Sequence, residues 1–148
     1  MNQFINSWLS LNLSGALQIV DFIIQQAESQ QLQLAIAVVD RAGTPLVRVK
    51  LDHAPEPSQE IALRKATTAL PFNCATADWE QRFASASESV RKGLPLQKGV
   101  VFFGGGEPLT QGEQLVGGLG ISGASEVKDS ESARQASIHF KQLMRPSQ

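Results

Sequence analysis

Gly118, Gly120 and Gly123 fall in the spacing G-x-G-x-x-G within "QLVGGLGISGASEV", residues 114–127. At the start of a helix, such glycines let the backbone approach a pyrophosphate. That chemistry also needs a βαβ unit of about 30 residues and an acidic side chain about 20 positions further on. Only 25 residues follow Gly123, and they read as one helix and a tail. No Gly-Lys-Ser/Thr follows the glycines, so the Walker pattern fails too. The sequence therefore argues against NAD or ATP binding.

The glycines still need a cause. "GGG" at 104–106 precedes the second glycine stretch, and if the two segments pair, the glycines bring two stripped backbone stretches together at one edge of a sheet. Glycine inside a strand marks a bulge or the close approach of another backbone or a ligand. Two readings stay open. Either a ligand touches bare backbone near Ser122, Gly123 and the following helix start, or a helix packs closely on the sheet.

Other groups with chemical potential are sparse. Asp129 lies in the first turn of the last helix, where an acidic residue complements the helix dipole, and Ser125 is placed to cap that helix. Asp52 ends a strand. His53, in the loop "LDHAPEPS", and His139, at the flank of an apolar helical stripe, are the two imidazoles that could ligate a metal ion. Neither belongs to a recognisable ligand motif. No zinc signature and no G-x-S-x-G elbow occurs. Cys74 is the sole cysteine, which excludes an internal disulfide and a cysteine-rich metal site. With no basic neighbour in sequence, it reads as an inert buried thiol.

Composition narrows the classes. The chain has 148 residues, 42% hydrophobic and 18% charged, with net charge −1. It reads as one domain, 1–148, able to bury its own core. There is no basic field for nucleic acid, no apolar run of membrane-spanning length and no basic N-terminal signal region. The expected location is the cytoplasm.

The elements that must position these residues follow from periodicity. Residues 13–28 read as a helix with Leu13, Ala16, Leu17, Val20, Ile23, Ile24 and Ala27 on one stripe. Phe22 falls opposite, to be covered by Phe4 or Trp8 or by a second subunit. Runs 33–40 and 46–51 flank the turn "DRAGTP" and form a hairpin. Ser58 is placed to cap a helix over 59–70, ended by Pro71. On it Ala62, Leu63, Ala66, Ala69 and Leu70 form the buried face, with Lys65 on the other side beside Ile61 and Thr68. One helix is expected over 77–91, from Trp79, Phe83, Ala86 and Val90. "GVVFFGG" reads as a buried strand, "EPLTQGE" as a connector, 114–122 as the last strand and 126–144 as the last helix. The order α-β-β-α-α-β-β-α gives an α/β (α+β) domain with a central antiparallel sheet flanked by helices.

The blocks "AIAVVDRAGTPLVRVKLDHA", "IALRKATTA" and "GGGEPL…VGGLGISGASEVKDSESARQA" resemble the GlcG/HbpS-like family, often labelled haem-degrading, which includes the C-terminal domain of PduO-type proteins. The likeness covers most of residues 13–140. It implies a profilin-like domain, assembly into homo-oligomers, and binding of haem or a related tetrapyrrole in some members, for whose iron His53 and His139 are the candidate ligands. Lys65 matches the family's recurring lysine and is either solvated or a cation for a propionate or small acid. The sequence thus points to a small-molecule-binding homo-oligomer. The competing readings are an enzyme of haem or small hydroxy-acid and aldehyde metabolism, and an assembly protein without turnover. Lys65, Gly105, Gly106, Gly120, Ser122, Gly123 and Asp129 are the candidate ligand-binding residues. Ile138, on the polar side of the last helix, joins Phe22 as a candidate subunit contact.

Overall fold

The computed structural model describes residues 2–146. Helix α1 spans Leu13–Gln30; the Asn12 side chain accepts from the Gly15 amide, and Gln31, in the left-handed region, closes it. Its buried residues are Ala16, Ile19, Val20, Ile23 and Ala27. Leu13 and Leu17, expected on the buried stripe, instead face outward at 53% and 51% exposure.

Strands β1 (Ala35–Asp40) and β2 (Pro45–Lys50) form the expected hairpin. Asp40 Oδ1 accepts from the amides of Ala42 and Thr44, the local bond that lets aspartate start a turn. Strands β3 (Gly106–Gln111) and β4 (Gln114–Ser122) form a second hairpin. The sheet order is β2-β1-β4-β3, and every pairing is antiparallel.

Helix α2 (Ser58–Phe72) covers one face of the sheet, while α1 and α5 (Glu126–Leu143) cover the other. On β1, Ile36 and Val38 join the α1/α5 core with Leu109, Leu119, Ile121 and Phe140. Ala35, Ala37 and Val39 face α2 at Ala62, Ala66 and Leu70. A strand buried on both sides explains its unbroken apolar run. The α+β architecture with an antiparallel sheet is as the sequence predicts.

Several expectations need correction. "GVVFFGG" is not a strand: residues 98–105 form an irregular segment, and β3 begins at Gly106 inside the supposed connector. In that segment Val101 is buried and Phe102 packs against Phe72, Trp79 and Phe83. Pro108 is tolerated because β3 is an edge strand. Residues 77–91 are not one helix. A 3₁₀ turn (Thr76–Asp78) leads into α3 (Trp79–Ala84), and α4 (Glu88–Gly93) starts afresh at Ser87, whose hydroxyl accepts from the Val90 amide. Ser58 is the first residue of α2 rather than its cap; its hydroxyl donates to the Pro55 carbonyl. Pro71 lies inside the last turn of α2, which Asn73 closes in the left-handed region. Finally, Phe22 is covered by neither Phe4 nor Trp8. It stacks on His139, with ring centroids 4.1 Å apart and planes 8° from parallel.

Candidate functional site

The expected glycine edge forms. Gly106 pairs with Gly120 across β3 and β4, and the Ile121 amide donates to the Gly105 carbonyl at 2.8 Å. What occupies the space beside these glycines is protein. A Cβ on Gly120 would run into the Ala62 carbonyl, and one on Gly106 would lie 2.6 Å from the Lys65 carbonyl. Helix α2 therefore lies backbone to backbone on the sheet. Gly105 adopts φ 127°, a conformation that side chains disfavour, and a Cβ there would sit 2.7 Å from Lys65 Nζ.

Lys65 is the centre of this knot, with 1% of its surface exposed. Its ammonium donates to the Ile121 carbonyl at 2.8 Å and meets Asp129 Oδ2 at 3.3 Å. Phe103 lies over it, 5.1 Å from ring centroid to nitrogen. Asp129 is buried as well, and its Oδ1 accepts from the Ala124 amide at 3.0 Å. Ser125 caps α5 as expected by accepting from the Lys128 amide. Burial pushes the Lys65 pKa down, opposed by attraction to Asp129. Burial likewise pushes Asp129 up, opposed by Lys65. So Lys65, Gly105, Gly106, Gly120, Ser122, Gly123 and Asp129 do converge. They converge in the interior, with Ser122 at 6% exposure. Lys65 was expected on the solvent side of its helix. It is covered because the excursion from 74 to 105 returns over that side, where the Val101 amide donates to Thr68 Oγ1 and the Gly106 amide to Thr76 Oγ1.

The histidines lie apart from this knot. His53 sits in an exposed loop where its amide donates to Gln33 Oε1. It edges a depression of about 400 Å³ with Leu32, Leu51, Glu28 and Asp52. The neighbouring cation, Lys50, donates to the carbonyls of Leu51, Asp52 and Ala54. His139 edges a depression of about 300 Å³ with Phe22, Ile138, Gln26, Gln135 and Gln142. Asp52 itself is exposed, and Cys74 is half-buried rather than fully enclosed.

A larger groove of about 800 Å³ was not foreseen. It runs between the 75–80 segment, the β3 edge and α5. Glu107 lies in it, its pKa raised to about 7 by burial and then by Asp78, against the pull of Lys141 and Arg134. The signal available in sequence was Glu107 in the stretch read as a connector. With β3 unrecognised, nothing placed that side chain beside α5.

A family model described as haem degrading protein HbpS-like matches residues 11–137. The chain belongs to the HbpS-like family. It is similar in structure to ORFY of Klebsiella pneumoniae, at 26% identity and TM-score 0.85, covering 98% of this chain and 99% of that one. A crystal structure of a PduOC:haem complex is 32% identical, with TM-score 0.79, covering 89% and 95%. In sequence, the corrinoid adenosyltransferase PduO of Citrobacter freundii is 33% identical over 128 residues, 86% of this chain and 38% of that protein. This HbpS-like chain thus spans well under half of that curated relative. Among its described residues, no helix is long and apolar enough to cross a membrane. Residues 1–10 lie outside the family match.

Proposed function

We propose that this HbpS-like protein binds haem or a related tetrapyrrole as a cytoplasmic, self-associating domain. The observation that carries this reading is the likeness to the crystallised PduOC:haem complex across 89% of the chain. The adenosyltransferase activity in the name of PduO is not part of the reading, because this chain covers 38% of that protein.

The residues present fit a haem at one of the two histidines better than at the other. An iron porphyrin brings a flat apolar face, a metal that accepts imidazole, and two propionates. At His53 the propionates would meet Glu28 and Asp52, while Lys50 is engaged with carbonyls. The His139 depression has no acidic lining. It offers the Phe22 ring, the half-exposed Ile138 and the amide groups of Gln26, Gln135 and Gln142. Stacking on Phe22 fixes the imidazole plane while leaving its nitrogens at the ring edge. His139 would then hold the iron, and the glutamine amides would donate to the propionates. The glycine edge around Lys65 supports this domain by holding its layers together.

An absorbance titration with haem tests the reading. The parent and His53→Ala should show a saturable Soret shift, and His139→Ala should lose it. A parent with no Soret change refutes haem binding. A shift lost only in His53→Ala moves the iron to the other loop. A shift abolished only in a folded Lys65→Met variant moves the ligand to the glycine edge.

A further inference from the structure

The chain carries no charged side chain before Asp21. Within that stretch Phe4, Ile5, Trp8 and Leu9 are exposed at 50% or more, and so are Leu13 and Leu17 at the start of α1. These six side chains present on the order of 700 Å² of largely apolar surface, close to the ~800 Å² that each partner contributes to a standard interface. Apolar patches above a few hundred Å² are uncommon on monomers and mark contact sites.

The arm is not a loose tail. The Ser10 hydroxyl accepts from the Arg41 amide at 3.1 Å, and the Leu11 amide donates to the Val116 carbonyl at 2.9 Å. The Arg41 guanidinium stacks on the Trp8 ring at 4.7 Å. These contacts anchor the arm's C-terminal end and present Trp8 on the surface. Beyond the arm, Leu13, Ser14, Leu17, Gln18 and Asp21 line an open depression of about 410 Å³ on α1. Each copy therefore carries both an apolar arm and an apolar recess.

We propose that the arm of one copy, residues 4–9, docks on the Leu13/Leu17 recess of a second copy, and reciprocally. The proposal rests on the reading of this chain as self-associating and names the face. An exchange of this kind closes as a two-fold dimer, because the same two patches meet twice. Chemistry favours a second copy over a lipid surface. Helices that lie on membranes carry lysine and arginine on their polar face, whereas α1 contains no basic residue and has Asp21 and Glu28. The arm lies outside the family match, while the recess on α1 lies inside it.

The test is light scattering over a concentration series without haem, on the parent, Trp8→Ser, Leu13→Glu/Leu17→Glu and a control at the exposed Leu96, Leu96→Glu. The parent and the control should be dimers or larger. The arm and recess variants should each weaken self-association at least tenfold while keeping the parent's circular dichroism. A second measurement uses differently tagged Trp8→Cys and Leu17→Cys chains, both in a Cys74→Ser background. Mixing them with an added oxidant, which takes the two electrons released, should give a disulfide that joins the two differently tagged chains. A monomeric parent overturns both self-association and this face. A parent oligomer that survives all arm and recess changes, or falls apart in Leu96→Glu alone, overturns the face and leaves self-association standing. Arm-dependent binding to neutral or anionic vesicles by a monomeric parent assigns the arm to lipid and overturns the proposal.

Discussion

The two faces of the sheet are built by opposite rules. Toward α1 and α5 the contacts are made by side chains: Ile19, Ile23, Ile36, Leu109, Leu119, Ile121 and Phe140 interdigitate as in an ordinary core. Toward α2 the contacts are made by backbone: Gly106, Gly118 and Gly120 lie under the carbonyls of Lys65, Ala66 and Ala62, with Ala35, Ala37 and Val39 alongside. The first face can absorb a change by shifting rotamers. The second cannot, because a peptide group has no rotamer to shift. The largest fully buried side chain near that second contact, Lys65, is charged, and its charge is matched from the opposite layer by Asp129.

That contrast is tested first by adding a methyl group. Gly120→Ala drives a Cβ into the Ala62 carbonyl, so the loss should exceed ~4 kcal/mol, in the exceptional range for one substitution. Gly93→Ala on α4, where a Cβ meets nothing within 4 Å, should leave the unfolding midpoint close to the parent's. Chemical denaturation measures both, and a folded, stable Gly120→Ala would break the comparison. Next is the buried pair. Asp129→Ala leaves an ammonium stranded, and Lys65→Met strands a carboxylate; each should cost about 3–5 kcal/mol. The double variant should recover part of that loss in a double-mutant cycle, whereas additive losses would mean that the pair does not couple. On the other face, Ile36→Val removes one methylene and should cost only ~0.5–1.5 kcal/mol by the same assay.

The smallest effect concerns pH. Glu107 has its pKa raised from 4.5 to about 7, mainly by burial. The folded state therefore holds a proton that the unfolded chain has released between about pH 4.5 and 7. Its contribution makes stability fall as pH rises through that window, and level off above it. Discounted for its partial exposure, the effect should stay near 1 kcal/mol. Glu107→Gln should flatten this part of a plot of thermal midpoint against pH. An unchanged slope between pH 5 and 7.5 would show that Glu107 is solvated like any surface carboxylate.

Periodicity exposed α1, α5, the first hairpin and β4, because each presents a regular pattern to one layer. It failed where a segment is held by something other than its own period. β3 carries Pro108 and polar residues because it is an edge, while Val100–Phe103 looks like a strand but is held through Phe102 by Phe72, Trp79 and Phe83. Helix α2 showed its alanine face correctly. Its second buried side was hidden, since the cover comes from residues 101–106, far along the chain. The meeting of the two glycine stretches at one sheet edge was legible from sequence. The arrival of Lys65 beside them and the closure of that edge against solvent were not, because both depend on how near α2 approaches the sheet. The His139 stack on Phe22 and the Glu107 groove both needed the mutual placement of separate elements, which spacing does not encode.

The Lys65–Asp129 bond spans 64 residues and joins the layer on one side of the sheet to the layer on the other. The pair is buried only when α2 and α5 are both in place, because each layer covers the other's charge. Until both helices dock, neither charge has reason to leave water. Once they have, peeling away either layer exposes an ion that has lost its counter-charge, so the two layers are bound to open together. Slow amide exchange in α2 and α5 would then share one rate, that of global unfolding, although the helices lie on opposite faces of the sheet.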